Sequence, residues 1–149
     1  MTRSQLLNNI AHWLREGGLR ALVHRVELER TLSLRDSDPF DSAWVAANDE
    51  VQRVLRERAL TEGDSRSIED IARLAFEATT GCPALAPYVS DDLRLIAEAV
   101  ALGLEFPWIS GLFEADLAGD FPFGAIRLSD SRLSDLPASM TGGGESISN

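Results

Sequence analysis

The sequence predicts an all-α fold: a single irregular bundle of about six helices followed by a flexible C-terminal tail. Apolar residues recur with the 3.6-residue period of a helix, and strict apolar–polar alternation over the length of a strand does not occur. Helix start and stop signals bound the periodic stretches. A chain of 149 residues, 44% of them hydrophobic, suffices for one domain with its own core. We therefore predict a helical domain over 1–137 and a Ser/Thr/Gly-rich tail over 138–149.

Two helices are predicted in the first 34 residues. The first covers 4–16, because Thr2 and Gln5 have the spacing of a capping box and an apolar stripe follows them. Two consecutive glycines then disfavour a continued helix. The second helix covers 19–34, where leucine and valine residues again recur on one side.

The third and fourth helices are predicted from their N-terminal signals. Asp38 is suited to an N-cap and Pro39 to the first helical position, and the apolar stripe continues to about residue 60. After a polar loop, the fourth helix begins at Ser67 and ends before Gly81, a residue type typical of helix C-termini.

The fifth and sixth helices complete the predicted bundle. The fifth begins at Ser90, which places Asp91 and Asp92 in its first turn, where the helix dipole favours negative charge. The sixth is short and covers 107–117, with proline at its first position. Beyond Gly119 the periodicity weakens, so irregular structure is expected up to the tail.

The net negative charge is confined to the second half of the chain. Residues 1–60 contain nine arginines and nine acidic residues, whereas residues 61–149 contain five arginines and fifteen acidic residues. The formal net charge of −10 therefore lies entirely in the second half. Such a field repels nucleic-acid phosphates and anionic membranes and attracts basic partners, although solubility alone also explains it.

The residues that usually form catalytic or metal sites are few and scattered. Cys82 is the only cysteine, and the two histidines, His12 and His24, lie on the first two predicted helices. No zinc-ligand spacing, phosphate-binding loop or nucleophile motif occurs. We therefore predict a protein that is not an enzyme and that binds no metal and no cofactor.

The predicted location is the cytoplasm. A single cysteine allows no disulfide within the chain and is typical of a reducing compartment. The N-terminus lacks the apolar run of a signal peptide, and the most apolar stretch is too short to span a bilayer. Neither a membrane role nor nucleic-acid binding is expected.

Residues 105–123 combine five of the ten aromatic residues with four acidic residues. Exposed rings surrounded by carboxylates would form an interface with buried anchors and a charged rim. The candidate partner-binding residues are Asp91, Asp92, Glu105, Trp108, Glu114, Asp116, Asp120 and Phe121. The alternative is that the rings close the end of the core while the acids are solvated.

Three functions are compatible with these features. The leading hypothesis is a small acidic protein that inhibits or scaffolds a basic protein partner, for example a bacterial immunity-type protein that neutralises a toxin. The alternative is a helical recognition domain whose C-terminal peptide is modified by a partner enzyme. A third class, an enzyme or ligand-binding protein built on buried arginine and carboxylates, would require a polar pocket that the sequence does not locate.

Overall fold

The computed structural model describes residues 1–25 and 27–145, and these contain eight α-helices and no strand. This confirms the all-α prediction. In chain order the helices are α1 (Arg3–Arg15), α2 (Arg20–Arg25), α3 (Leu28–Arg35), α4 (Phe40–Glu57), α5 (Glu62–Ala78), α6 (Ala86–Leu102), α7 (Pro107–Leu117) and α8 (Asp135–Glu145). None of the described helices is both long and apolar enough to cross a membrane.

Helix α6 lies at the centre of the bundle. It packs against α1, α4, α5 and α7, and most of its residues are buried. Helix α5 lies between α1 and α6, and α8 packs against α1. Because neighbours surround α6 on several sides, its sequence is apolar around most of its circumference rather than along one stripe.

Helix α1 matches its prediction, and the predicted capping box is present at its N-terminus. The backbone N–H of Gln5 donates to Thr2 Oγ1 at 3.1 Å, and the backbone N–H of Thr2 donates to Gln5 Oε1 at 2.7 Å. Two N–H groups that the helix cannot pair internally are thereby satisfied.

The second predicted helix, over 19–34, is wrong because the structure divides it into α2 and α3. Glu27 has an extended backbone (φ −95°, ψ 93°), which is incompatible with a continuous helix. The division allows α3 to take its own direction and to bury Thr31 and Arg35. Periodicity did not reveal this break because leucines continue on both sides of it.

Three helices begin at residues other than those predicted. Helix α4 begins at Phe40 rather than Pro39, although Asp38 still accepts a bond from the backbone N–H of Ser42 at 3.2 Å. Helix α5 begins at Glu62, since Thr61 caps it and acidic residues occupy its first turn. Helix α6 begins at Ala86, with proline in its first turn.

The chain between α7 and α8, residues 118–134, contains no helix and is called the α7–α8 segment below. Helix α7 matches its prediction, whereas α8 covers 135–145, where irregular structure and the start of a tail were predicted. The side chain of Asn9 on α1 donates to the carbonyl of Pro137 at 3.0 Å, so α8 is joined to the bundle. Residues 146–149 of the predicted tail lie outside the described residues.

Candidate functional site

An arginine is buried where α3, α4, α6 and the α7–α8 segment meet. The Arg35 guanidinium donates to Asp92 Oδ1 on α6 and, at 3.1 Å, to the carbonyl oxygen of Pro122. The indole N–H of Trp44 on α4 donates to the same oxygen of Asp92 at 2.9 Å. Arg35 is only 4% exposed, so this ion pair is shielded from solvent.

Aromatic rings surround the guanidinium. Its central carbon lies 4.2 Å from the ring centroid of Phe40, 4.8 Å from that of Phe121 and 5.4 Å from that of Tyr88. Rings at these distances attract a desolvated cation and exclude water from it. Phe121 and Pro122 both belong to the α7–α8 segment, so Arg35 fixes the start of that segment on the core.

A second buried carboxyl group, that of Asp116 on α7, carries no hydrogen bond among the described residues. Burial, together with the negative charge of Asp92, raises its pKa well above the usual value, while Arg35 opposes the rise. Burial also raises the pKa of Asp92, against the influence of Arg35. One buried cation thus faces two buried carboxyl groups, and burial favours the neutral form of Asp116.

The α7–α8 segment lies directly on α7. A Cβ atom at Gly111 would be 2.2 Å from the carbonyl oxygen of Arg127, so only glycine permits this approach. Further along, the backbone N–H of Ser129 donates to the carbonyl of Pro107 at 3.2 Å. Helix α7 and the segment therefore form two facing walls.

An open groove with a volume of about 740 Å³ lies between these walls. One wall consists of Gly111, Glu114 and Ala115 of α7 with Ala118 directly after it, and the other of residues 120–123 and 125–131. Phe123 and Leu128 line the groove and are 43% and 61% exposed. We call this feature the α7 groove. It combines exposed apolar side chains with acidic ones, as binding surfaces commonly do.

Four of the eight predicted partner-binding residues are buried. Asp92 belongs to the Arg35 ion pair, Asp116 lies inside the protein, and the rings of Trp108 and Phe121 pack in the core. These four form no surface patch, and for both rings the core alternative is correct. Composition did not reveal this burial, because the central helix α6 and its neighbour α7 bury acidic residues along with apolar ones.

The other four predicted residues, Asp91, Glu105, Glu114 and Asp120, are exposed. Glu114 and Asp120 line the α7 groove. Glu105 instead accepts a bond from the backbone N–H of Leu133 at 2.7 Å, which holds the end of the α7–α8 segment. Asp91 is on α6 and does not line the groove. Partner binding by these residues stays a prediction.

Most acidic residues of α5 form an ion pair with an arginine. Glu69 pairs with Arg94 of α6 at 2.6 Å, and Arg73 pairs with both Asp70 and Glu77 on its own helix. Another pair joins residues 62 and 66. Because Arg73 is shared by two carboxylates, three arginines partly offset the five acidic residues of this helix.

The α7 groove is one place where acidic charge exceeds basic charge. Glu114, Asp120 and Asp130 line it, against a single basic residue, Arg127. Within the described ranges, neither Glu114 nor Asp130 takes part in an ion pair. Sequence reasoning missed Asp130 and the exposed Leu128 because the α7–α8 segment has no periodicity that would assign its faces.

Comparison with known proteins identifies a family. A family model described as immunity protein PIM1 matches residues 9–123. The matched range extends from within α1 through α7 to Phe123 of the α7–α8 segment. No curated protein and no solved structure matches the chain.

Proposed function

Because this chain belongs to the immunity protein PIM1 family, we propose that it binds a toxin protein and blocks the toxin's activity, and that the toxin presents a basic surface to it. The family match over residues 9–123 is the observation that carries the proposal. Inhibition by binding requires no catalytic group on the inhibitor, since covering or distorting the toxin's own site suffices.

The α7 groove is the proposed contact surface. Its acidic residues Glu114, Asp120 and Asp130 face solvent around exposed apolar side chains. Excess negative charge accelerates association with a basic protein, and apolar contacts slow dissociation. Fast association suits an inhibitor that must reach its toxin before the toxin reaches its target.

The alternative, a domain that carries a modified C-terminal peptide, has less support. The family match ends at residue 123, before the segment from 138 onward and also before the groove wall at 125–131, so the end of the match does not decide between the two. The family has an immunity function by its description, which agrees with the inhibitor hypothesis.

Capture followed by a growth assay tests the inhibitory function. The protein is immobilised at low ionic strength and offered the predicted toxin domains encoded in the same genome. Each captured domain is then expressed in a host with and without this chain. We expect growth to be restored when this chain is present. The proposal would be contradicted if none of the toxin domains bound the chain and none was neutralised by it.

Charge neutralisation tests the surface. We expect Glu114→Gln with Asp130→Asn to slow association with the captured toxin several-fold and to reduce its dependence on salt. The control, Asp70→Asn with Glu77→Gln, removes the same charge from the α5 surface, where both carboxylates pair with Arg73. Stopped-flow association at several salt concentrations is the measurement. Equal effects of both double variants would show that only net charge matters and would exclude a localised contact.

A further inference from the structure

A second, smaller pocket lies at the end of the α7 groove, where the start of α7 meets the α7–α8 segment. Residues 105–107 and Ser110 form one side of it, and residues 129–132 form the other. Residues 129–131 line both cavities, so the pocket continues the groove. We call it the Ser110 pocket.

Ser110 is the residue of this pocket that folding alone does not explain. It is 1% exposed, and its hydroxyl forms no hydrogen bond with the described residues. A serine inside a helix usually points to solvent or bonds the carbonyl one turn back. Here the Phe106 carbonyl accepts the backbone N–H of Ser110 at 3.0 Å, while the hydroxyl stays unpaired. A buried hydroxyl without a partner costs free energy of folding, so stability does not favour serine at this position.

The Ser110 hydroxyl is nevertheless within reach of a bound group. Unlike the unpaired side-chain oxygens of Asp92 and Asp116, it is not fully enclosed by protein atoms, and Ser110 lines the pocket. The hydroxyl is therefore available to a polar group that enters from the groove.

The size of the Ser110 pocket limits what can occupy it. Its volume is about 190 Å³. Pockets for small-molecule ligands and cofactors usually have volumes of about 300–1,000 Å³. The smaller volume suits a single side chain of a partner protein, inserted as an anchor next to the groove.

Carboxylates determine which side chain fits. Glu105 and Asp130 line the pocket, and Asp130 takes part in no ion pair among the described residues. The opposing positive charge consists of about half a charge at the N-terminus of α7 and of Arg132. The side chain of Arg132 is 71% exposed and its Nε lies 4.0 Å from Glu105, so it can turn away into solvent. Acceptor oxygens with an excess of negative charge suit lysine or arginine.

We propose that the Ser110 pocket receives one lysine or arginine side chain of the toxin, which donates to the Ser110 hydroxyl and to the Asp130 carboxylate. The inference deepens the proposed immunity function and rests on it. Phe106 and Pro107 provide apolar surface for the methylene groups of such a side chain, while its charged end reaches the acceptors. The Ser110 oxygen then gains the partner that it lacks in the free protein.

Ser110→Ala tests this assignment, because its effects on folding and on binding are expected to differ. Removal of an unpaired hydroxyl should leave the melting temperature unchanged or raise it by up to about 4 °C. The affinity for the toxin should fall about tenfold, because the incoming charge loses an acceptor. Thermal unfolding and calorimetric titration with the captured toxin measure the two effects.

Ser90→Ala is the matched control. The Ser90 hydroxyl on α6 donates to the Ala72 carbonyl at 2.8 Å, and Ser90 lines neither the α7 groove nor the Ser110 pocket. We expect this variant to lower the melting temperature by about 2–4 °C and to leave the affinity for the toxin unchanged.

A double-mutant cycle identifies the toxin side chain that enters the pocket. Each exposed lysine and arginine of the toxin is replaced by alanine and titrated against the unmodified protein and against Ser110→Ala. One of these toxin variants should bind the unmodified protein more weakly and show no further loss with Ser110→Ala. Additive losses for every basic residue of the toxin would overturn the occupant that we propose.

The outcomes separate this inference from the proposed function. An unchanged affinity of Ser110→Ala for a toxin that binds the unmodified protein would overturn the pocket assignment and leave toxin binding intact. A melting temperature of Ser110→Ala as low as that of Ser90→Ala would show a structural role of the hydroxyl and would also overturn the inference. If no toxin binds the unmodified protein, both proposals fail.

Discussion

Arg35 shows how a buried charge can be accommodated at the scale of a single residue. Its guanidinium has a carboxylate, a carbonyl and aromatic faces as neighbours, and each replaces part of the lost hydration. Lysine at this position would lack the planar fork that reaches Asp92 and Pro122 simultaneously. The residue thus joins the core to the start of the groove wall.

Asp116 provides a test of the buried charge balance. Its pKa is raised in the folded protein, so the unfolded chain loses this proton at a lower pH than the folded protein does. The group therefore contributes stability that is fully present below the usual aspartate pKa and is lost as pH rises through the folded value. We expect Asp116→Asn, which stays neutral, to gain stability relative to the unmodified protein as pH rises above about 4.

Urea unfolding at pH 4.5, 6 and 7.5 measures this difference. The gain is expected to be at most about 1.4 kcal/mol per pH unit, the limit for one proton. Asp70→Asn, which removes an exposed carboxylate of α5, is the control for loss of charge. A constant difference between Asp116→Asn and the unmodified protein at all three pH values would contradict a raised pKa of Asp116.

The sequence identified the acidic residues of the candidate site but not which of them are buried. Asp92 and Asp116 look like surface acids, because charged residues are rarely buried without a partner. The partner, Arg35, is 57 residues from Asp92 along the chain. No local pattern reports such a contact. Glu114 and Asp120, in contrast, lie on the short helix α7 or just beyond it, and their predicted exposure is correct.

At the scale of the element, Gly111 determines how closely the α7–α8 segment approaches α7. We expect Gly111→Ala to destabilise the protein by about 1–3 kcal/mol, because the new methyl group overlaps a backbone carbonyl that cannot move freely. It should also widen the groove and weaken toxin binding.

Gly63→Ala is the matched comparison for this prediction. A Cβ at Gly63 meets no atom within 4 Å, and the residue lies in the first turn of α5. We expect no loss there and a gain of up to about 1 kcal/mol from helix propensity. Thermal unfolding of both variants is the measurement. Equal melting temperatures would show that the close approach at Gly111 does not affect stability.

The ends of elements explain the remaining differences between prediction and structure. Helix α5 begins five residues before the predicted Ser67, because Thr61 accepts a bond from the backbone N–H of Asp64 at 3.0 Å and so caps an earlier turn. The polar residues after Thr61 resemble a loop in composition, yet acidic residues in a first turn are stabilised by the helix dipole. Composition predicts a loop after Thr61, whereas capping predicts a helix, and the structure contains the helix.

At the scale of the whole molecule, salt should act in opposite directions on folding and on binding. The net charge of −10 makes the folded chain repel itself, and salt screens this repulsion. We expect the free energy of unfolding to increase between about 0.05 and 0.5 M NaCl, while the affinity for a basic toxin decreases. Urea unfolding and calorimetric titration in the same buffers measure the two quantities. A decrease of both with salt would indicate that attractive ion pairs dominate the free protein.

The attachments of the α7–α8 segment have a consequence for retargeting. Hydrogen bonds at Pro122, Ser129, Leu133 and Ser134 hold the segment, and none of these bonds involves a side chain between 123 and 128. The arrangement resembles that of a hypervariable loop, in which anchors are kept and the residues between them vary. A library randomised at Phe123, Arg127 and Leu128 should therefore yield folded proteins at high frequency and is a direct route to inhibitors of other toxins.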